Sequence, residues 1–145
     1  VPSLDGTGKM SKSENQYATL YLADDDELIR KKVMKAKTDS GPTEPNSVKP
    51  DYIENLFMMM RLVSEDSTVQ KFEDDFAKAA IRYGDMKKQL AEDMVKFITP
   101  IREKAEAIQK NETYLKKIIS DGAEKARISA RKTIEAARTL LHLNY

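Results

Sequence analysis

The chain has 145 residues, of which 40% are hydrophobic, enough for one domain with a buried core. It contains no cysteine and one histidine, His142, so disulfides and thiolate metal sites are excluded, and neither a histidine zinc site nor a Ser-His-Asp triad is expected. Charged residues make up 34% of the chain but the formal net charge is only +1, so a nucleic-acid surface would require charge segregated along the sequence.

Residues 1–16 predict a loop that begins with a short apolar stump. Gly6 and Gly8 permit sharp backbone turns just before two lysines three positions apart, Lys9 and Lys12. Ammonium groups, serine hydroxyls and the backbone amides of a turn together suit a phosphate. The alternative is a solvated lysine–serine linker, which composition alone favours because short motifs often match by chance.

The apolar spacing beyond this loop predicts an all-α chain, a bundle of about five helices. The first helix begins in the acidic run 24–27, whose charge suits a helix N-terminus better than a metal site. A connector over 38–50 contains three prolines, and a second helix is expected from about 51 to 63. The run 58–60 of three methionines is interpreted as core, not as a groove for a partner.

Three further helices are expected. The third is predicted to start from a cap at Ser64 or Ser67 and to reach about residue 81. After a break at 83–85, the fourth runs to about 110, with a kink or restart caused by Pro100. The fifth runs from about 111–113 to about 141, with a pause at 121–122, and its apolar spacing is that of a helix packing one face against neighbours.

The segment Lys9-Met10-Ser11-Lys12-Ser13 resembles, without departure, the signature loop of class I aminoacyl-tRNA synthetases. Three later elements, in the right order, resemble the bacterial-type tryptophanyl branch of that class: Thr38-Asp39-Ser40, Tyr83-Gly84 and the run 121–126, Asp-Gly-Ala-Glu-Lys-Ala. The tyrosine-specific branch shares the fold and the loop and is the nearest competitor. The first and last of these elements favour tryptophan.

The resemblance implies site residues. In the family the loop closes over ATP while the amino-acid carboxylate attacks the α-phosphate, so Lys9 and Lys12 are expected to be catalytic by offsetting charge on the leaving pyrophosphate. Met10, Ser11 and Ser13 are expected to contribute with them to ATP binding, and Val1 corresponds to a residue on the adenosine side. ATP would arrive as its Mg²⁺ complex, and no protein-bound metal is implied.

The resemblance also implies organisation and partners. Residues 1–20 would be the loop and a remnant of a Rossmann-like catalytic domain, and residues 21–145 a helical anticodon-recognition domain. The partners would be tRNA-Trp, tryptophan and ATP, within a cytoplasmic homodimer that does not use a membrane. Because the sequence contains no His-x-Gly-His motif, the chain by itself is expected to be inactive.

Charge is segregated near the C-terminus. From residue 113 onward there are seven lysines and arginines but only three acids. The side chains expected to face tRNA are Lys125, Arg127, Arg131, Lys132 and Arg138. An ordinary solvated helix face is the alternative that sequence alone favours, and the resemblance favours tRNA. A freestanding helical RNA-binding or protein-interaction module remains the competing function.

Overall fold

The computed structural model describes residues 1–6, 8–11, 13 and 15–143. A short 3-10 helix, Gln16–Ala18, precedes five α-helices: α1 Asp26–Met34, α2 Asp51–Val63, α3 Asp66–Ala77, α4 Tyr83–Lys110 and α5 Glu112–Leu140. The prediction of an all-α chain with about five helices is confirmed. In the part of the chain that the structure describes, β structure is limited to one isolated antiparallel bridge between Pro2 and Lys9. No described helix is long and apolar enough to cross a membrane.

The chain divides into two compact units, Val1–Arg102 and a second unit that begins at Glu103. The first unit has a core that buries the predicted apolar faces of α1 and α2 and three residues of α3. Of the apolar face predicted for α4, Leu90, Met94 and Ile98 are buried, whereas Phe97, Ile101 and Ile108 are exposed. The fully buried side chains of the core are Ile29, Val33, Ile53, Leu56, Phe57, Met59, Met60, Met86 and Leu90. Phe57 also meets Phe76 of α3 edge to face, with ring centroids 6.2 Å apart.

The methionine run 58–60 is core, as predicted, but only in part. Met59 and Met60 are buried, whereas Met58 is 43% exposed. Three consecutive helical residues cover about 200° of the helix circumference, so one of them must leave the buried face.

Three predicted helix boundaries are wrong. Helix α3 ends at Ala77 and not at about residue 81. Neither Ser64 nor Ser67 caps α3, whose N-cap residue is Glu65 and makes no side-chain cap hydrogen bond. Tyr83-Gly84-Asp85 is the first turn of α4 instead of a break, because Tyr83 is buried in the core and fixes the helix start there. A glycine costs a helix only about 1 kcal/mol, which such packing outweighs.

Neither a restart at Pro100 nor a pause at 121–122 is present in the structure, and the alternative prediction of a kink at Pro100 stays a prediction. Helix α4 continues through Pro100 to Lys110 without a restart, and α5 runs past Gly122 without a pause. Over Glu112–Leu140, all of which the structure describes, no side chain is buried. The apolar stripe predicted to pack against neighbours is therefore exposed, with Ile119 68% exposed and Ile134 53% exposed.

Candidate functional site

The glycine-led loop rises from a short antiparallel base. Besides the bridge between Pro2 and Lys9, the Ser3 amide donates to the Gly8 carbonyl at 2.8 Å and the Met10 amide donates to the Val1 carbonyl at 3.0 Å. Gly6 and Gly8 have backbone φ angles of 74° and 149°, values that residues other than glycine rarely adopt. The base holds both ends of the turn together, so the backbone reaches Lys9 from a fixed direction.

The Thr-Asp-Ser element supports this turn through Tyr52 of α2. The Tyr52 hydroxyl donates to Asp39 Oδ2 at 2.9 Å, and the Gly41 amide donates to Asp39 Oδ1 at 2.8 Å. Burial of Asp39 opposes its ionisation, but these hydrogen bonds outweigh burial and hold the pKa of that carboxyl below its usual range. The hydrogen bond to Asp39 in turn raises the pKa of the Tyr52 phenol. The resemblance pointed to Asp39, but no signal in the sequence indicated its contact with Tyr52.

On the other side of the loop, Asp5 and Asn15 link the segment that enters the loop to the segment that leaves it. The Ser3 hydroxyl donates to Asp5 Oδ1 at 2.7 Å, and the Asn15 amide nitrogen lies 3.5 Å from Asp5 Oδ2. Asn15 Oδ1 also accepts from the Tyr17 amide, which starts the 3-10 helix. The chain therefore leaves the loop along a short, capped helical turn.

The described signature residues differ in exposure. Lys9 and Ser13 are exposed, and Met10 is half-buried and packs against the core. The hydroxyl oxygens of Ser11 and Ser13 are 3.0 Å apart. Val1 is 71% exposed, and Lys12 lies outside the described residues. An exposed ammonium and two adjacent hydroxyls on a glycine turn can bind an anionic ligand such as a phosphate.

The acidic run 24–27 has structural partners. Asp24 Oδ2 accepts from the Tyr21 amide at 2.9 Å and pairs with Lys32, and Asp25 caps α1 by accepting from the Leu28 amide at 2.7 Å. Asp26 pairs with Arg102, and this hydrogen bond contributes most to lowering its pKa. No group of three or more acidic, histidine or cysteine side chains is arranged for a metal among the described residues.

The five basic side chains expected to face tRNA are all exposed on α5. Arg127, Arg131 and Arg138 line one shallow groove together with Ile134. Their spacing of four and seven residues keeps them on one face, which we call the arginine row. Lys125 and Lys132, also seven residues apart, lie on a different side of the helix. The structure thus brings three of the five residues together and separates the two lysines from them.

Known proteins match this chain over both the signature loop and the helices that follow it. A family profile described as tRNA synthetases class I (W and Y) matches residues 1–99. The chain is 53% identical over 141 residues to a tryptophan–tRNA ligase of Porphyromonas gingivalis, covering 97% of this chain and 42% of that protein. It is 38% identical over 136 residues to that of Helicobacter pylori, covering 93% of this chain and 40% of that protein.

Solved structures agree. The tryptophanyl-tRNA synthetase of Campylobacter jejuni, crystallised with ADP and tryptophan, superposes with a TM-score of 0.75 at 26% identity, covering 98% of this chain and 43% of that one. The synthetase of Mycoplasma pneumoniae superposes with a TM-score of 0.69 at 25% identity, covering 94% and 42%. The chain spans about two fifths of the length of the relatives it matches. On the match over residues 1–99 and the intact signature within it, the chain belongs to the class I tRNA synthetases of the tryptophan and tyrosine group.

Proposed function

We propose that this chain supplies the ATP-phosphate loop and the tRNA-facing helical domain of a tryptophan–tRNA ligase. The observation that carries the proposal is the complete signature Lys9–Ser13 on a glycine turn with a hydrogen-bonded base. Tryptophan is favoured over tyrosine because the curated relatives at 53% and 38% identity are both tryptophan–tRNA ligases. Residues 1–20 then belong with the catalytic domain and residues 21–145 form the anticodon-recognition domain.

The proposed chemistry is transition-state electrostatics. As the tryptophan carboxylate attacks the α-phosphorus of ATP, the bond to the bridging oxygen breaks and negative charge builds on the leaving pyrophosphate. Lys9 and Lys12 would offset that charge, and Ser11 and Ser13 would donate hydrogen bonds to the phosphate oxygens. Met10, anchored on the core, would keep the loop backbone beside ATP, and Val1 would lie on the adenosine side. Mg²⁺ would enter with ATP as part of the substrate.

The decisive measurement is amino-acid-dependent ATP–pyrophosphate exchange by the full-length protein that contains this chain. Tryptophan should support exchange. Lys12→Ala and Lys9→Ala should each lower kcat by about 10²–10³-fold with little change in thermal stability, because each removes one preorganised donor to the developing charge. Lys88→Ala, an exposed lysine of α4, is the matched control and should leave the rate unchanged.

Each contrary outcome has a definite meaning. Exchange with tyrosine but not tryptophan would assign the tyrosine-specific branch. Absence of exchange with either amino acid, together with RNA binding, would favour a freestanding RNA-binding module. The 145-residue chain alone should show no exchange, because the His-x-Gly-His motif of the class is not in its sequence.

The arginine row is proposed as the tRNA contact of α5, within a full-length homodimer. Lys125 and Lys132 would add positive potential from their own side of the helix. Arg131→Gln should weaken binding of tRNA-Trp and reduce the dependence of log K on log salt by about one unit. Arg82→Gln, an exposed arginine of the first unit, is the control and should change neither. An unchanged salt slope in Arg131→Gln would refute the assignment.

A further inference from the structure

Helix α1 carries a lysine whose ammonium group is buried. Lys32 is 3% exposed, and its Nζ donates to Asp24 Oδ2 at 2.6 Å and to the Thr19 carbonyl at 2.9 Å. The Tyr21 ring lies beneath the ammonium, 4.7 Å from Nζ to the centroid. Lysine is almost never buried unless paired, and a buried ion pair is commonly no more stabilising than apolar residues of the same volume. The pair therefore needs an explanation other than stability.

Both acceptors of Lys32 belong to the short segment that leads from the signature loop to α1. Within that segment, the Asp24 carboxylate also accepts a hydrogen bond from the Tyr21 amide. Thr19 is itself 7% exposed, so its carbonyl is withdrawn from water and receives the ammonium instead. The ammonium consequently holds the segment at two points, Thr19 and Asp24, which follow the last signature residue, Ser13, by six and eleven positions.

Thr19 continues the connection into the loop. Its hydroxyl Oγ1 donates to the carbonyl of Ser11 at 3.2 Å, and Ser11 is the middle residue of the signature. The neighbouring Ala18 carbonyl accepts from the Leu4 amide at 2.9 Å, on the opposite side of the glycine turn. A continuous set of polar contacts thus runs from Lys32 through Thr19 to the backbone of Ser11.

We infer that Lys32 is a positioning residue for the signature loop: with Asp24 it fixes Thr19, and Thr19 fixes the Ser11 backbone from which the loop approaches phosphate. The inference rests on the proposed function. A loop that acts on developing charge must return to one geometry at each closure, and a displacement of about 1 Å can reduce a rate by about 10²-fold. The effect falls on kcat, because the loop's contacts strengthen only as pyrophosphate departs.

The sharpest test removes only the link between Thr19 and Ser11. Thr19→Val in the full-length protein deletes the hydroxyl but retains the side-chain shape and the carbonyl that receives Lys32. We expect tryptophan-dependent exchange per titrated active site to fall about fivefold in kcat, the effect of one hydrogen bond, with KM for ATP unchanged. Thr19→Ser keeps a hydroxyl at the same position and should restore kcat to near the wild-type value.

A second variant tests Lys32 itself. Lys32→Met alone would leave the Asp24 carboxylate buried without its partner and could prevent folding, so it is combined with Asp24→Asn. The double variant leaves the Thr19 carbonyl without its donor, so its melting temperature should fall moderately, and it should lose about 10–100-fold in kcat per titrated site of the folded protein. The matched control is Arg30→Met with Glu92→Gln, which removes an exposed bidentate pair between α1 and α4 and should leave kcat unchanged.

The outcomes separate this inference from the proposed function. If the wild-type protein lacks tryptophan-dependent exchange, the proposed function fails and this inference fails with it. If the wild type is active, but Thr19→Val and the double variant keep the wild-type kcat per titrated site, only the positioning role is refuted. A rise in KM for ATP at unchanged kcat, or a lower melting temperature alone, would also refute it, because either outcome leaves the chemical step untouched.

Discussion

Gly6 of the signature loop packs directly against Tyr52 of α2. A β-carbon added at residue 6 would lie 2.7 Å from the Tyr52 Cβ, closer than real side chains approach. The Asp39 carboxylate holds the Tyr52 hydroxyl, and the Lys37 ammonium lies 4.8 Å from the centre of its ring. The start of the turn therefore rests on a ring that two other side chains keep in place.

This contact predicts that Gly6→Ala is destabilising. The backbone has φ of 74° there and the added methyl group has no room, so we expect a loss of about 2 kcal/mol in the free energy of unfolding. Chemical denaturation of the 145-residue chain measures it. In the full-length protein, exchange activity should fall as well, because the displaced turn carries Lys9.

Gly84→Ala is the matched control for this substitution. Gly84 lies in the first turn of α4, and an added β-carbon there meets nothing within 4 Å. Alanine should be neutral or slightly stabilising at that position. Equal stability of Gly6→Ala and wild type would contradict the packing of Gly6 on Tyr52.

Two methionines of α2 that lie two positions apart should respond very differently to truncation. Met60 is fully buried, so Met60→Ala should cost about 2–5 kcal/mol through lost burial and the cavity left behind. Met58 is 43% exposed, and Met58→Ala should change the free energy of unfolding by no more than about 0.5 kcal/mol. Urea unfolding of both variants checks the difference, and similar costs would show that residues 58–60 do not pack as described.

Glu73 of α3 predicts a dependence of stability on pH. Its carboxylate pairs with Lys49, and it lies 2.5 Å from Arg61 Nη2. Burial alone would raise its pKa, but the hydrogen bonds and charges of these two cations outweigh burial and hold the pKa below its ordinary 4.5. Because the folded pKa is lowered, the contribution is present above pH 4.5 and is lost as the pH falls through the folded pKa.

Glu73→Gln should therefore destabilise the chain by about 1 kcal/mol at pH 7, a value typical of partly exposed pairs. The difference from wild type should disappear in acid below that pKa. Thermal unfolding of both proteins from pH 7 to pH 3 measures it. Glu106→Gln, an exposed control on α4, should show no comparable change, and a pH-independent deficit in Glu73→Gln would contradict the assigned ion pairs.

The uninterrupted course of α5 predicts that Gly122→Ala is stabilising. Gly122 has helical neighbours on both sides and no atom within 4 Å of an added β-carbon, so alanine should gain about 0.5–1 kcal/mol of helix stability. Circular dichroism at 222 nm during thermal unfolding measures the gain. Ala123→Gly should have the opposite sign, and destabilisation by Gly122→Ala would instead support a turn at 121–122.

The all-α class and the core stripes of α1 and α2 could be predicted from the sequence, because 3.6-residue periodicity is a local property. The signature from Lys9 to Ser13 could likewise be identified from the sequence, because it consists of five consecutive residues and does not depend on contacts with distant ones. Exposure of the basic side chains on α5 also followed from their pattern. Their division into an arginine row and two lysines on another side follows from the helical spacing of residues 125 to 138, all of which lie beyond the predicted pause at 121–122.

The tertiary structure alone decided which residues support the loop. In the sequence, Lys32 is indistinguishable from the other lysines of a basic helix. Only the structure shows that its ammonium is buried against Thr19 and Asp24. The sequence pattern places Tyr52 on the surface of an amphipathic helix, and only the structure shows that Gly6 packs against it. Such contacts join residues far apart in sequence, and local propensity carries no information about them. Sequence alone therefore identified the loop, and long-range packing determined what holds it in place.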